Sequence, residues 1–415
     1  MSINHQAQKA KEASYILANT GIDLRNAALN AIASALEENI NSILEANAID
    51  IENAKNSDLS TSMQDRLMLT EERIRSISAS VRQVTMLPDI LGEVERMWER
   101  PNGLLIGRKR VPLGLVAMIY EARPNVTVDA SVLSLRTGNA VILRGGKEAI
   151  NSNLELVRIM KDALKIVGLP EHSIEIVSDT SRESALELMK LNDYIDVLIP
   201  RGSAGLIKSV VNNSTVPVIE TGAGNCHIFI DEFADIQMGL DILVDAKCNR
   251  PSVCNSLETL LVHEKIAEEF LKAAHIRLGE HNVELRGCEK TAEIIPCNKA
   301  TEEDYYTEFN DLIIAIKVVD DIDNAIRHIH KHGTKHSECI ITKDYSNSQK
   351  FLKMIDAAAV YVNASTWFSD GFEFGLGAEI GISTQKLHAR GPMGLEALTS
   401  IKYIIYGNGQ CRGKK

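Results

Sequence analysis

Between residues 113 and 363 short apolar runs alternate with amphipathic stretches, and this alternation limits the chain to few architectures. The run Leu115-Val116-Ala117-Met118-Ile119-Tyr120 is apolar throughout, as a strand buried on both faces must be. Further runs at 139–143, 173–177, 195–199 and 216–219 are separated by helical patterns at 152–167, 181–192 and 203–211. A second series places strands at 226–230, 257–262, 312–319, 339–342 and 360–363, with helices at 235–247, 264–278, 321–332 and 346–356 between them. Crossover helices return the chain to the same end of a sheet, so successive strands run parallel. The expected fold is α/β: two α/β domains, each with a parallel sheet.

The flanks follow other rules. Residues 4–98 read as helices, with apolar positions at three- and four-residue spacing through Leu24, Ala28, Ala31, Ile32, Leu36 and Ile40. Thr61-Ser62-Met63-Gln64 has the form of a capping box. Residues 100–108 break the helical period and suggest a short hairpin turning at Asn102-Gly103. The segment 364–391 is Gly-rich and aperiodic, and 401–406, β-branched and aromatic, reads as a terminal strand.

Composition excludes several functions. The formal net charge of −11 argues against a general nucleic-acid surface. The longest apolar runs are too short to span a bilayer, and residues 1–19 lack the apolar stretch of a signal peptide. Seven cysteines, scattered without C-x-x-C spacing, fit a reducing cytoplasm better than a disulfide framework. A cytoplasmic protein, bound to neither membrane nor nucleic acid, is expected.

Several residues could carry chemistry. Cys254 lies in Asn249-Arg250-Pro251-Ser252-Val253-Cys254-Asn255, with Lys247 and Arg250 near enough in sequence to favour a thiolate. Taken alone, a lone cysteine is more often a small core residue. Asn125, in Tyr120-Glu121-Ala122-Arg123-Pro124-Asn125, falls at the carboxyl edge of a buried strand, where α/β ligands bind, although a turn or cap role would suit it as well. Arg144-Gly145-Gly146-Lys147-Glu148 and Arg201-Gly202-Ser203-Ala204-Gly205 are strand-to-helix loops of the same kind. Arg123, Arg250 and Arg390 are cations suited to carboxylate or phosphate. His328 and His332 have the i, i+4 spacing of a metal pair, but no further ligand completes a set nearby, so no metal is expected.

Thirty-four residues before Cys254 stands Val218-Ile219-Glu220-Thr221-Gly222-Ala223-Gly224-Asn225. This segment and the one around Cys254 resemble the carboxylate and nucleophile segments of the aldehyde dehydrogenase superfamily. The similarity is most specific in 111–147, 216–262 and 365–396, and narrows to the glutamate-5-semialdehyde dehydrogenases, also called gamma-glutamyl phosphate reductases. One departure is visible: Lys247-Cys248-Asn249-Arg250 stands where that branch usually has Lys-Thr-Gln-Arg. The extra thiol, Cys248, raises the question of oxidation sensitivity.

The resemblance implies an aldehyde dehydrogenase-like fold: a NADP-binding domain (1–99 and 111–222, with a return segment 364–397), a catalytic domain (223–363) and a β extension for oligomerisation (100–110 and 398–415). It implies NADPH-dependent reduction of L-glutamyl 5-phosphate to L-glutamate 5-semialdehyde, a step towards proline. By the same resemblance Cys254 is the nucleophile, Asn125 an oxyanion donor, and Glu220 a base or a retained structural group. Arg144, Lys147, Gly202, Ser203 and Glu308 become cofactor contacts. Lys147 stands where NAD-preferring relatives carry an acidic residue for the ribose, which favours NADPH. Arg123, Arg250 and Arg390 are the substrate candidates. A homo-oligomer and a working partnership with glutamate 5-kinase are implied as well. Two other readings stay open: a reductase or dehydrogenase of this fold acting on acyl-CoA or free aldehyde, and a non-catalytic binding protein on the same scaffold.

Overall fold

The computed structural model describes residues 2–57 and 61–412, apart from the side chains at 61 and 62. The chain divides into two compact units. One comprises the chain up to Glu220, Gly375–Gly381 and the chain from Met393; the other comprises Thr221–Phe374 and Ile382–Pro392. The segment 364–397 is therefore shared between the units.

The first unit opens with helices Ile3–Leu17, Ile22–Glu38, Ile40–Lys55, Thr61–Leu67 and Glu71–Thr85. The expected capping box at Thr61 and Ser62 lies outside the described side chains. Elsewhere the caps are explicit. Ser2 Oγ accepts the His5 N–H at 3.3 Å, and Thr70 Oγ1 accepts the Arg73 N–H at 3.2 Å. Glu71 and Glu72 place negative charge at the positive end of their helix. Ala28, Leu29, Ile32 and Leu36 form the buried stripe that the periodicity predicts.

The helical stretch expected to reach residue 98 ends at Thr85, and Val94–Glu99 is a strand. Its sequence, Val-Glu-Arg-Met-Trp-Glu, has no strict period-2 alternation, and its pairing is irregular between Val94 and Arg96. It joins Leu105–Pro112 through the expected turn: Gly103 adopts φ +82°, its N–H donates to Arg100 O, and the Arg100 N–H donates to Leu104 O. Thr399–Tyr406 pairs antiparallel along all of Leu105–Pro112 and completes a three-stranded sheet.

A four-stranded parallel sheet runs in the order Ile174–Ile176, Ala140–Arg144, Leu115–Tyr120, Val197–Arg201. All six residues of Leu115–Tyr120 are buried. The chain leaves this strand towards one edge and then returns to pair Val197–Arg201 on its other side. The strand order thus reverses between Leu115–Tyr120 and Val197–Arg201, and the loops beginning at Glu121 and Gly202 flank the reversal. The strand expected at 216–219 is reduced to a single parallel bridge, Leu198 with Val218. Pro217 has no N–H to extend the ladder, though its carbonyl accepts the Leu198 N–H at 2.9 Å.

The second unit holds a seven-stranded parallel sheet in the order Asn298–Lys299, Glu284–Gly287, Ile313–Val319, Leu257–His263, Cys226–Ile230, Ser337–Ile341, Ala359–Val362. Alternate residues feed two cores. Ile228, Ile230, Leu260 and Val262 pack with Leu243, Phe270 and Leu271, while Phe229, Leu261 and Ile340 pack with Ile326, Ile329 and Phe351. The two short strands at 284–287 and 298–299 were not expected from the sequence. They sit at the sheet edge and are rich in charge, so they lack the apolar run that marks a central strand. Among the described residues no helix is long and apolar enough to cross a membrane.

Candidate active site

Cys254 lies on the turn-rich loop 249–256, between helix Ile236–Cys248 and strand Leu257–His263, and is half-buried. The loop is pinned along its length. Asn255 Nδ2 donates to Trp367 O (2.9 Å) and Ser369 Oγ (3.2 Å), and Asn255 O accepts from Thr366 Oγ1 (2.7 Å). Ser256 Oγ donates to Ala246 O (3.1 Å), and the buried Cys226 thiol donates to Cys254 O (3.3 Å). Gly224 passes so close that a Cβ there would stand 1.3 Å from Cys254 O, which leaves no room for any other residue.

Lys247 does not supply the cationic surroundings expected for the thiol. It is fully buried, and its Nζ donates to the equally buried Glu258 carboxylate at 2.7 Å. Burial lifts the Glu258 carboxyl to about 8, with Lys247 pulling it back. The pair joins the last turn of the helix before the loop to the strand after it, so it closes the Cys254 loop at its base. Arg250 remains exposed on that loop. Cys248, the extra thiol, is raised to about 11 by burial, so at neutral pH it is protonated and weakly nucleophilic.

Glu308, expected as a ribose contact, lies in the same region: its Oε1 accepts the Gly224 N–H at 2.7 Å and so holds the segment that packs on Cys254. Arg390 donates to Asp356 Oδ1 at 2.8 Å, in a cluster with Lys386 (2.9 Å from Asp356) and Lys335 (3.7 Å). Lys386 and Arg390 hold the Asp356 carboxyl well below its ordinary range. The histidines also have protein partners. His332 Nδ1–H donates to His328 O (2.9 Å), its Nε2 lies 2.9 Å from Glu302 Oε1, and the His328 and His332 rings lie 4.0 Å apart. Among the described residues no group of three His, Cys, Asp or Glu side chains is arranged to hold a metal ion.

In the first unit Arg123 is the N-cap residue of helix Pro124–Arg136, and its carbonyl accepts the Val126 N–H. Proline at the first helical position costs no hydrogen bond and presets the backbone. Asn125 is half-buried, and its Nδ2 donates to Asp129 Oδ2, one turn on, at 3.1 Å. Burial raises the Asp129 carboxyl to about 6, against the Asn125 hydrogen bond and the Arg201 charge. Glu220 closes this unit two residues after the Val218 bridge.

The two strand-to-helix loops expected to hold the cofactor occur as read. Gly145 and Gly146 are both buried. A Cβ on Gly145 would meet Asn153 Nδ2 at 2.3 Å, and one on Gly146 would meet Glu148 Oε2 at 2.4 Å. Tyr120, Thr127 and Asn153 form a hydrogen-bonded chain, with Tyr120 also beside the Gly145 loop. Arg144 is occupied: its Nη2 donates to Thr180 O (2.5 Å) and Ser181 O (2.8 Å), and burial lowers its pKa against Asp179 and Glu148. Lys147 is exposed. Ser203 begins helix Ala204–Asn213, its Oγ accepting the Leu206 N–H at 3.4 Å. A glycine-lined turn, an exposed lysine and a helix N-terminus at a sheet's switch point could hold a dinucleotide.

The family model for the aldehyde dehydrogenase family matches residues 1–312. A gamma-glutamyl phosphate reductase from Clostridium perfringens (strain SM101 / Type A) is 63% identical over 408 residues, 98% of each chain. The crystal structure of gamma-glutamyl phosphate reductase from Thermotoga maritima superposes with a TM-score of 0.95 at 50% identity, covering 98% of this chain and 99% of that one. The chain belongs to the gamma-glutamyl phosphate reductases of the aldehyde dehydrogenase family. The fold alone extends further: an engineered glycolyl-CoA reductase with bound NADP+ has a TM-score of 0.72 at 18% identity, over 97% of this chain and 96% of that one.

As a gamma-glutamyl phosphate reductase of the aldehyde dehydrogenase fold, the chain is an oxidoreductase that uses a nicotinamide cofactor on a small molecule. Sequence reading alone missed Glu121, Asp129, Cys226 and Glu258. Each acts through a partner on another turn, loop or strand, and only the apolar run around Glu258, which buries a carboxyl next to the nucleophile loop, hinted at one of them.

Proposed function

We propose that this chain uses NADPH to reduce L-glutamyl 5-phosphate to L-glutamate 5-semialdehyde and inorganic phosphate, in the cytoplasm, as the second step from glutamate to proline. The observation that supports it most is the full-length likeness to gamma-glutamyl phosphate reductases in a chain whose half-buried Cys254 sits on a loop braced on every side.

The Cys254 thiolate attacks the acyl carbon, and the C–O bond to phosphate breaks as the thioester forms. The Cys254 backbone N–H and the Asn125 carboxamide stabilise the tetrahedral oxygen; a hole of two such donors contributes several kcal/mol. When bound, NADPH would supply the hydride that reduces the thioester; the Cys254 thiolate is regenerated as the thiohemiacetal releases the aldehyde. Lys147 and the Gly202-Ser203 turn would hold the dinucleotide, Lys147 attracting a 2′-phosphate, while Arg144 braces the loop through Thr180 O and Ser181 O. Glu308 holds Gly224 against the nucleophile loop while its second oxygen serves the nicotinamide ribose. Arg123, Arg250 and Arg390 serve the substrate's anionic groups, Arg390 in exchange with Asp356. Phosphate leaves without a water, so Glu220 acts on the thiol proton or on the geometry of its segment. The exposed apolar side chains of the three-stranded sheet, including Met97, Tyr403, Ile405 and Tyr406, assemble homo-oligomers, and glutamate 5-kinase supplies the labile acyl phosphate.

The test is NADP+ reduction with glutamate semialdehyde, with and without inorganic phosphate. Strict phosphate dependence is expected. Turnover without phosphate would replace this reading with a hydrolytic dehydrogenase that uses Glu220 to activate water.

A further inference from the structure

Glu121 follows the central strand Leu115–Tyr120 and lies between the two loops of the dinucleotide half-site. Its N–H donates to Arg201 O at 3.2 Å, which fixes its place beside the neighbouring strand. Its Cα backs onto Gly146, where an added Cβ would stand 3.4 Å away. Its carboxylate crosses to the other loop: Oε2 accepts the Ser203 N–H at 2.8 Å and Oε1 accepts Ser203 Oγ at 2.8 Å. The carboxylate lies directly over Gly202, where a Cβ would stand 2.6 Å from Glu121 Oε2 and displace it from this position. The side chain therefore delivers a full negative charge to the start of helix Ala204–Asn213, and the turn is shaped to receive it.

An anion held at a helix N-terminus satisfies unpaired N–H groups and the positive end of the helix dipole. A dinucleotide phosphate at this turn would use the same two Ser203 donors, and two anions cannot share them at hydrogen-bond distance without strong repulsion. We propose that Glu121 is an internal competitor for the dinucleotide phosphates: its carboxylate occupies the Ser203 donors and must swing off them when the cofactor binds. Affinity for the dinucleotide is thereby held down and release of the oxidised product is eased. This inference rests on the cofactor reading of the Gly202-Ser203 turn.

Its signature differs from that of a ribose ligand. Competition acts on the phosphates that NADPH and NADH share, so removing the charge should tighten both by the same factor. A carboxylate reading ribose hydroxyls would instead lose affinity when neutralised, and unequally between the two.

The experiment is a fluorescence titration of the full chain, wild type and Glu121→Gln, with NADPH and separately with NADH. Glutamine keeps the shape and an acceptor for the Ser203 N–H, so folding is preserved, and Glu121→Ala serves as a second neutral variant. Both should bind both nucleotides about three- to tenfold more tightly than wild type, the size expected of a charge at a helix terminus. The factor should shrink as salt rises from about 0.05 to about 0.5 M, because screening weakens the competing charge. Unchanged or weakened binding in both variants, or an effect confined to one nucleotide, would overturn the competition. If wild type and variants alike bound neither nucleotide, the cofactor reading itself would fail, and the competition with it.

Discussion

Asp129 shows how a single residue below the reactive surface sets conditions for one upon it. It accepts the Asn125 amide at 3.1 Å, so one N–H of the proposed oxyanion donor is fixed and the other is left for substrate. Its carboxyl is raised to about 6, whereas an unfolded aspartate titrates near ~3.9. Between those values the folded chain keeps a proton that the unfolded chain has lost, so this carboxyl favours folding at low pH and opposes it once pH rises through 6. Asp129→Asn should stabilise the chain by about 1 to 2 kcal/mol at pH 8 and change little at pH 4, measured by urea denaturation. An equal gain at both values would show that ionisation of Asp129 is not involved. At this scale the sequence was partly legible. Cys254 and Asn125 stand in segments whose residue order carries the resemblance, but Asp129 is one acidic residue on a helix like many others. Its meaning lies in a distance that the sequence does not display.

At the scale of elements, the strands were legible where burial on both faces forces an uninterrupted apolar run, as in Leu115–Tyr120 and Cys226–Ile230. They were illegible at edges and in ribbons such as Val94–Glu99 and Glu284–Gly287, where side chains face water and the pattern dissolves. The Lys247–Glu258 pair escaped for another reason: the lysine was read as help for the thiol because it lies close in sequence, yet it turns inward. A hydrogen-bonded pair with both partners at 0% exposure is costly to break from one side, because the remaining polar group is left buried without its partner. Lys247→Met alone should destabilise the chain by about 3 to 5 kcal/mol, while Lys247→Met with Glu258→Leu should recover most of that loss. A double variant as unstable as the single one would refute the pairing argument. If the pair also positions the loop, the double variant will keep its fold and NADPH affinity but show a lower kcat.

For the whole molecule, the division into two α/β units was readable from the two strand–helix series. The division of 364–397 between them was not, because a Gly-rich, aperiodic segment carries no pattern that assigns it to either sheet. The terminal strand was visible in its β-branched sequence, but its partner, three hundred residues away, could be named only by resemblance. That strand leaves Tyr403 and Ile405, two residues apart on one face, each 60% exposed. Apolar side chains grouped in this way on a strand invite a second copy. Tyr403→Glu with Ile405→Glu should therefore lower the mass measured by light scattering at micromolar concentration, with thermal stability of the remaining species read in parallel. An unchanged assembly would place the contact elsewhere.

The proposed mechanism is covalent, with Cys254 carrying the glutamyl group between loss of phosphate and arrival of hydride. The direct measurement is mass spectrometry of the chain, digested after brief incubation with L-glutamyl 5-phosphate without reduced nucleotide and quenched in acid. A glutamyl thioester is expected on the peptide containing Cys254, discharged when NADPH is added before the quench and absent from Cys254→Ala, which should still bind NADPH. A glutamyl group on another cysteine, or turnover by Cys254→Ala, would contradict it.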